Sequence, residues 1–356
     1  MKSEIGSSRP SLENSEKLQI DFFESADGET IIIEFPDGGL GIVDAHPSRE
    51  ETRPPILDLV GKRKVHFVCL THPHADHGVD LIPILQKHRP IDEFWHTNPD
   101  VSSFVYHCAT ERPNYPSPVR AFVNQLADGW ADFLLDLYSS VEDLSERKLH
   151  SKVQPIGIAG ARVWILGPDE QVAKRFVRMY KQRASGAARA LPSPNLLSAI
   201  LGIEYGGSLI VLGSDALKSG WNDAIKVHKE AGLSRAVVLK VPHHGAANAL
   251  ALEKNRKNYL DLCRKEPRPV AILFAGDSKH PNTRVFEELR NKTHLLCLSN
   301  GQKGAHGPAN PLNIKIPGAR QVRRSYVCQP QITIELGSDG TLAVARGMSC
   351  HVCQAA

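Results

Sequence analysis

The segment Thr71-His72-Pro73-His74-Ala75-Asp76-His77-Gly78 places three imidazoles and one carboxylate within six residues. It follows VHFVCL at 65–70, an almost continuous apolar run of the kind that forms a strand buried on both faces. A turn at that strand end can aim His72 and His74 at one metal ion and Asp76 and His77 at a neighbouring one. Neutral imidazole and carboxylate are the donors a catalytic Zn²⁺ or Mn²⁺ site uses. By chance the HxHxDH pattern would arise in on the order of one in several hundred chains of this His and Asp content. Further polar residues sit at the ends of other apolar runs: Asp44 after LGIV, Asp215 after SLIVLGS, His243 and His244 after AVVLKVP, and His280 before PNTRVFEELR. Asn195 precedes LLSAILGIEY, and Lys240 lies inside AVVLKV.

The elements that must position these residues read as an interleaved α/β chain. Strand-like runs occur at 18–23, 30–35, 40–45, 65–70, 161–166, 196–205, 208–213, 236–241, 269–275 and 293–298. Asp-Gly and Gly-Gly pairs between the first three mark hairpins. Val119, Phe122, Val123, Leu126, Trp130, Phe133, Leu134 and Leu137 recur at helical spacing and predict a helix over 118–138, with Ser117 as N-cap and Pro118 in the first turn. A second helix, over 170–183, carries Lys174, Arg175, Arg178, Lys181 and Arg183, with no acid after Glu170. The basic run continues to Arg189, and Arg320, Arg323 and Arg324 form a smaller cluster. Such patches suit phosphate contacts, or equally a solvated helix face.

Composition sets the outer bounds. The chain has 356 residues, 41% hydrophobic and 23% charged, with a net charge of +4. No apolar run approaches the ~20 residues of a membrane-spanning helix. The polar start, without an apolar core, shows no secretory signal, and seven cysteines scattered over a chain of this size read as reduced thiols, so a cytoplasmic location without membrane insertion is expected. Cys350 and Cys353 form a C-x-x-C at the very end, with no second ligand pair at zinc-site spacing. No nucleophile elbow with a Ser-His-Asp order is present.

HxHxDH after a buried strand resembles the signature of the metallo-β-lactamase fold hydrolases. Asp44 resembles that family's early strand-ending Asp, and Gly213-Ser214-Asp215-Ala216 its metal-bridging Asp. Asn195-Leu196-Leu197-Ser198 as an N-x-x-S element, LKVPHHG at 239–245 and the pair His280-Pro281 then follow in the order seen in the hydrolase domain of the ComEC DNA-uptake proteins. Phosphorylcholine esterases share the HHG arrangement. The resemblance implies a four-layer αββα sandwich over 17–346, with a leader at 1–16, a helical insertion at about 97–150 and a Cys-containing tail at 347–356.

It also implies two divalent metals, Zn²⁺ by default or Mn²⁺. One takes His72, His74 and one of His243 and His244, with His243 favoured by analogy with His72. The other takes Asp76, His77 and His280, while Asp215 bridges both. Asp76 and Asp215 would orient the hydroxide made from a shared water, and Asn195, Lys240 and His244 would bind substrate. The implied activity is phosphodiester hydrolysis on DNA, with small esters and a partner-binding subunit as alternatives. A bacterial anti-phage effector acting beside a defence-associated ATPase is a further context. The chain departs from ComEC in FESADGETIIIEF, which lacks the glutamine-containing VGQGD form.

Overall fold

The computed structural model describes residues 16–25, 28–47, 55–88, 90–97, 133, 136–137, 139–141, 143–184, 193–250, 258–274, 280–298 and 331–346. Their strands form two mixed sheets. The first contains β1 (Lys17–Phe23), β2 (Thr30–Glu34), β3 (Leu40–Val43), β4 (Val65–Leu70), β5 (Ile91–His96) and β6 (Ser145–Lys148), followed late in the chain by β14 (Gln331–Gly337) and β15 (Leu342–Arg346). Its order is β15-β14-β1-β2-β3-β4-β5-β6, parallel from β3 to β6. The second contains β7 (Ile156–Ile158), β8 (Ala161–Gly167), β9 (Ile200–Tyr205), β10 (Ser208–Leu212), β11 (Ala236–Lys240), β12 (Val270–Phe274) and β13 (His294–Leu298). Its order is β13-β12-β11-β10-β9-β8-β7, parallel from β10 to β13.

The continuous apolar runs are explained by burial on both faces. In β2, Ile31 and Ile33 point into the core shared by the sheets, and Ile32 points outward beneath helices. In β10, Ile210 and Leu212 face inward while Leu209 and Val211 face outward. Between the sheets, Phe22, Ile33, Phe67 and Trp95 meet Val163, Ile203, Ile210, Val238 and Ile272, and Phe67 stacks on Trp95 with centroids 3.8 Å apart. Each such side chain contributes about 1.5–3 kcal/mol by leaving water.

The outer face of the first sheet is covered by α1 (Ile56–Val60), α3 (Leu81–Lys87) and, through Phe176, α4 (Glu170–Ala184); the four-residue α2 (Ala75–Gly78) opens within the HxHxDH segment. The outer face of the second is covered by α5 (Lys218–Glu230) through Trp221 and Ala224, and by α6 (Thr283–Lys292) through Val285 and Leu289. Four layers result, helix–sheet–sheet–helix.

Two expectations change. The run 196–205 is not one strand: Pro194–Leu197 forms a 3₁₀ turn and β9 starts at Ile200. Pro194 cannot donate to a strand ladder, and the turn puts Asn195 at the sheet's end. The segment read as a helical insertion over 97–150 ends in β6, a polar edge strand of sequence SERK with no apolar alternation to reveal it. Most of the helix expected over 118–138, the leader to residue 15, Arg320 to Arg324 and the tail from 347 lie outside the described residues. Among the described residues no helix is long and apolar enough to cross a membrane.

Candidate metal centre

The parallel strands β3 and β4 deliver the first half of the site at their C-terminal ends, where open α/β sheets place ligand sites. Asp44 leaves β3 with φ 53° and is fully buried. Its Oδ1 accepts from the Thr71 amide at 2.8 Å. Its Oδ2 accepts from Thr71 Oγ1 at 2.6 Å and lies 2.7 Å from His77 Nδ1. An Nδ1 proton donated to Asp44 leaves His77 Nε2 as a lone-pair donor, the arrangement by which a carboxylate orients a metal-binding histidine. His77 Nε2 has no hydrogen-bond partner among the described residues and lies 3.8 Å from both Asp76 Oδ2 and Asp215 Oδ1. His72 Nε2 and His74 Nδ1 converge to 3.0 Å, while His72 Nδ1 is 3.2 Å from Thr71 Oγ1. Burial pushes His72 well below the usual imidazole range and His74 down to about 4, so both are neutral at pH 7.

The second sheet supplies its donors from separate chain positions. Ser214 (φ 42°) and Asp215 follow β10, and Thr71 Oγ1 meets Ser214 Oγ at 2.6 Å across the two sheets. After β11 the chain enters three consecutive left-handed residues, His243 (φ 48°), His244 (φ 50°) and Gly245 (φ 75°). This turn aims both imidazoles at one carboxylate: His243 Nε2 is 3.7 Å from Asp215 Oδ2, and His244 Nε2 is 3.9 Å from Asp215 Oδ1. Gly245 is required twice over, since a Cβ there would also come within 2.8 Å of Pro281 Cβ. Asn195 Nδ2 lies 3.4 Å from Asp215 Oδ2 and 3.3 Å from His243 Nε2, with its Oδ1 buried and unpartnered. Of the five non-glycine residues with positive φ among the described residues, Asp44, Ser214, His243 and His244 lie here. Each costs of order 1–3 kcal/mol unless its surroundings hold it, so the strain collects at the site.

The electrostatics ask for a cation. Burial raises Asp215 well above the carboxylate range, against the pull of His77. Burial alone would lower His77, but Asp44, Asp76 and Asp215 outweigh it and push its pKa up. The unpartnered His77 Nε2 and Asp215 Oδ1 face each other and need positive charge between them. His72, His77 and Asp215 each place a donor atom within 4.8 Å of the others, as do Asp76, His77 and His244. That donor set, imidazole and carboxylate with open lone pairs, fits divalent metal.

Among the predicted residues, His72, His74, Asp76, His77, Asp215, Asn195, His243 and His244 come together. His244 stands with Asp76 and His77, where the resemblance implies His280, while His243 lies beside Asp215 and Asn195. His280 is in neither donor group and packs instead beside His243, with ring centroids 5.8 Å apart. Lys240 does not face a substrate space: it is 0% exposed, its ammonium engaged by Glu29 and, at 2.8 Å, by the Ser214 carbonyl. Glu29, in the segment FESADGETIIIEF and given no role from the sequence, is the residue that sequence reasoning missed. Its carboxylate lies within 4.8 Å of donor atoms of Asp215 and His244. An acid beside a glycine at the start of a triple-isoleucine strand was its only signal.

Two back-to-back sheets with outer helices, and a His/Asp cluster at the strand ends between them, give the four-layer αββα sandwich expected from the sequence. No protein-family model matches the chain, and no curated protein sequence does. Solved structures are similar at low identity. A mutant of the CmlA beta-hydroxylase is 14% identical with a TM-score of 0.44, over 82% of this chain and 53% of that one. Zn²⁺-bound PqqB from Methylobacterium extorquens is 10% identical with a TM-score of 0.42, over 78% and 97%. A diphosphatase from the PhnP family is 12% identical with a TM-score of 0.34, over 78% and 86%. The chain thus spans about half the length of the CmlA structure.

Proposed function

We propose that this protein is a metal-dependent hydrolase acting on phosphodiesters, with DNA as its substrate. The observation that carries the reading is the pair of buried, unpartnered donors from opposite sheets, His77 Nε2 and Asp215 Oδ1, 3.8 Å apart within a wider His/Asp set. His72, His74, Asp76, His77, Asp215 and His244 would hold divalent metal, with His243 and Asn195 at its side. Bound metal supplies Lewis acidity, lowering the pKa of water and neutralising phosphoryl charge. The protein's own groups set the geometry. Asp44 fixes the His77 ring, Thr71 and Ser214 fix His72, and the Asn195 amide offers a donor and an open acceptor beside Asp215.

The anionic substrate is supported by the placement of α4. Its apolar side, with Phe176, packs into the outer cluster of the first sheet, and the helix rests against the turn that carries Asn195. Arg175 and Arg178 are exposed on its other side, as is Lys174, which pairs with Glu170 at 2.7 Å. Exposed cations on a helix that touches the Asn195 turn suit a phosphodiester backbone.

The test is cleavage of end-labelled single- and double-stranded DNA by protein loaded separately with Zn²⁺ or Mn²⁺, with Asp215→Asn as control. Cleavage by wild type that the control lacks is expected. No cleavage of either DNA, with metal demonstrably bound, would overturn the DNA assignment and move the substrate to small esters.

A further inference from the structure

Glu29 and Lys240 form a buried ion pair that the site described above leaves without a role. Glu29 precedes β2 in the first sheet and Lys240 ends β11 in the second, and both are 0% exposed. The Lys240 ammonium binds Glu29 Oε1 and donates to the Ser214 carbonyl, with the Phe274 ring centroid 5.6 Å away. The other oxygen, Glu29 Oε2, is buried with no hydrogen-bond partner among the described residues. The same carboxylate falls in two clusters of close donor atoms, one with Asp44 and His77, the other with Asp215 and His244.

The backbone gives this carboxylate little room to withdraw. A Cβ on Gly28 would lie 1.8 Å from the Asp76 carbonyl oxygen, so the loop is pressed flat against the HxHxDH segment. The Glu29 amide also donates to that carbonyl at 3.4 Å. Charge balance points the same way. Asp44, Asp76, Asp215 and Glu29 bring four carboxylates to the cluster, and Lys240 neutralises one. A carboxylate that accepts from an ammonium through one oxygen keeps the lone pairs of the other, and metal-binding carboxylates are characteristically held by such an outer partner.

We propose that Glu29 is a further carboxylate donor of the metal centre, with Lys240 holding Oε1 and Oε2 free for the cation shared by Asp215 and His244. The proposal rests on reading the cluster as a metal centre and adds a donor to it.

The experiment is titration of metal-stripped protein with Co²⁺, followed by visible absorption, with Zn²⁺ affinity measured by calorimetry. Wild type, Glu29→Gln, Glu29→Asp, the double variant Glu29→Gln/Lys240→Met and Asp215→Asn are compared, with circular dichroism confirming the fold. The double variant removes both buried charges, so no lone ion remains to disturb folding, and Glu29→Asp keeps the charge but shortens its reach. Weakening of at least one equivalent by about 10- to 100-fold in all three Glu29 variants, with an altered Co²⁺ spectrum, is expected. Wild-type affinity and spectrum in the double variant or in Glu29→Asp would overturn the proposal and leave Glu29 as a structural partner of Lys240. If wild type itself bound no Co²⁺, the metal-centre reading would fall too, and Asp215→Asn would then differ from it in nothing.

Discussion

Apart from Glu29, the first sheet presents its donors on one continuous loop, six residues from His72 to His77, braced from behind by a single carboxylate, Asp44. The second sheet gathers Asn195, Asp215, the His243-His244 pair and Lys240 from three separate stretches of chain. The first half is therefore a local structure that β4 and its neighbour β3 can build alone. The second exists only once β9, β10 and β11 are in register and three left-handed residues after β11 have been forced into place. Contact between the halves is polar: Thr71 with Ser214, His77 with Asp215, Glu29 with Lys240. A site divided in this way is competent only when the sandwich is closed, so metal binding and global folding should be coupled.

That contrast can be broken most sharply at Asp215, the carboxylate that both halves face. In metal-loaded protein Asp215→Asn should lower turnover of a phosphodiester such as bis-p-nitrophenyl phosphate by about 10³-fold, with circular dichroism unchanged. Turnover near wild type would mean that the HxHxDH loop works without the second sheet. Next in size, Lys240→Met strands Glu29 as a lone buried charge and should cost about 3–5 kcal/mol in urea unfolding. Joining Glu29→Gln to it should recover most of that loss. A variant as stable as wild type would remove the pair from the links between halves.

Asp44→Asn acts within the first half only. Asn tolerates the left-handed backbone at this position but cannot hold His77 by charge, so Zn²⁺ affinity should fall about 10- to 100-fold with little change in fold. Calorimetry decides this. Acid should act on the two halves together. Burial lowers His74 and His243 to about 4 and also depresses His72 and His244, each from 6.5. Above pH 6.5 their stabilisation is intact. As pH falls toward 4, the unfolded chain takes up protons that these native imidazoles refuse, so stability is lost. Asp215, raised by burial, and His77, raised by the carboxylates around it, run the other way and offset part of this loss. Metal-stripped protein should therefore unfold at lower urea at pH 5 than at pH 7.5, and equal midpoints would contradict this account. The smallest effect is expected for Thr71→Val, which removes the hydroxyl joining Asp44, His72 and Ser214. About 1–3 kcal/mol of stability should go with it, read from the urea midpoint.

The same contrast explains what could be read in advance. HxHxDH was legible because its spacing is local, and the buried strands because continuous apolar runs mark burial on both faces. Asp215 and the histidine pair were legible as polar residues closing apolar strands. Where each ring of the His243-His244 pair points was not, because it depends on successive left-handed dihedrals. Lys240, expected to bind substrate, is instead buried and paired with Glu29. A lysine inside the apolar run AVVLKV needs a partner when buried, and that partner comes from the other sheet. Glu29 carries no pattern, and only the meeting of the two sheets gives it a neighbour. The edge strand β6, with sequence SERK, lacks the alternation that reveals a strand.

The central claim is that both sheets hold the same metal. Anomalous diffraction from crystals of Zn²⁺- or Mn²⁺-loaded protein, recorded above and below the metal edge, tests it directly. The account predicts anomalous density within ligand distance of Asp215 and of HxHxDH donors at once, with His244 on the Asp76 side. Density bound by the HxHxDH loop alone with Asp215 out of reach, or no density at the cluster, would contradict it.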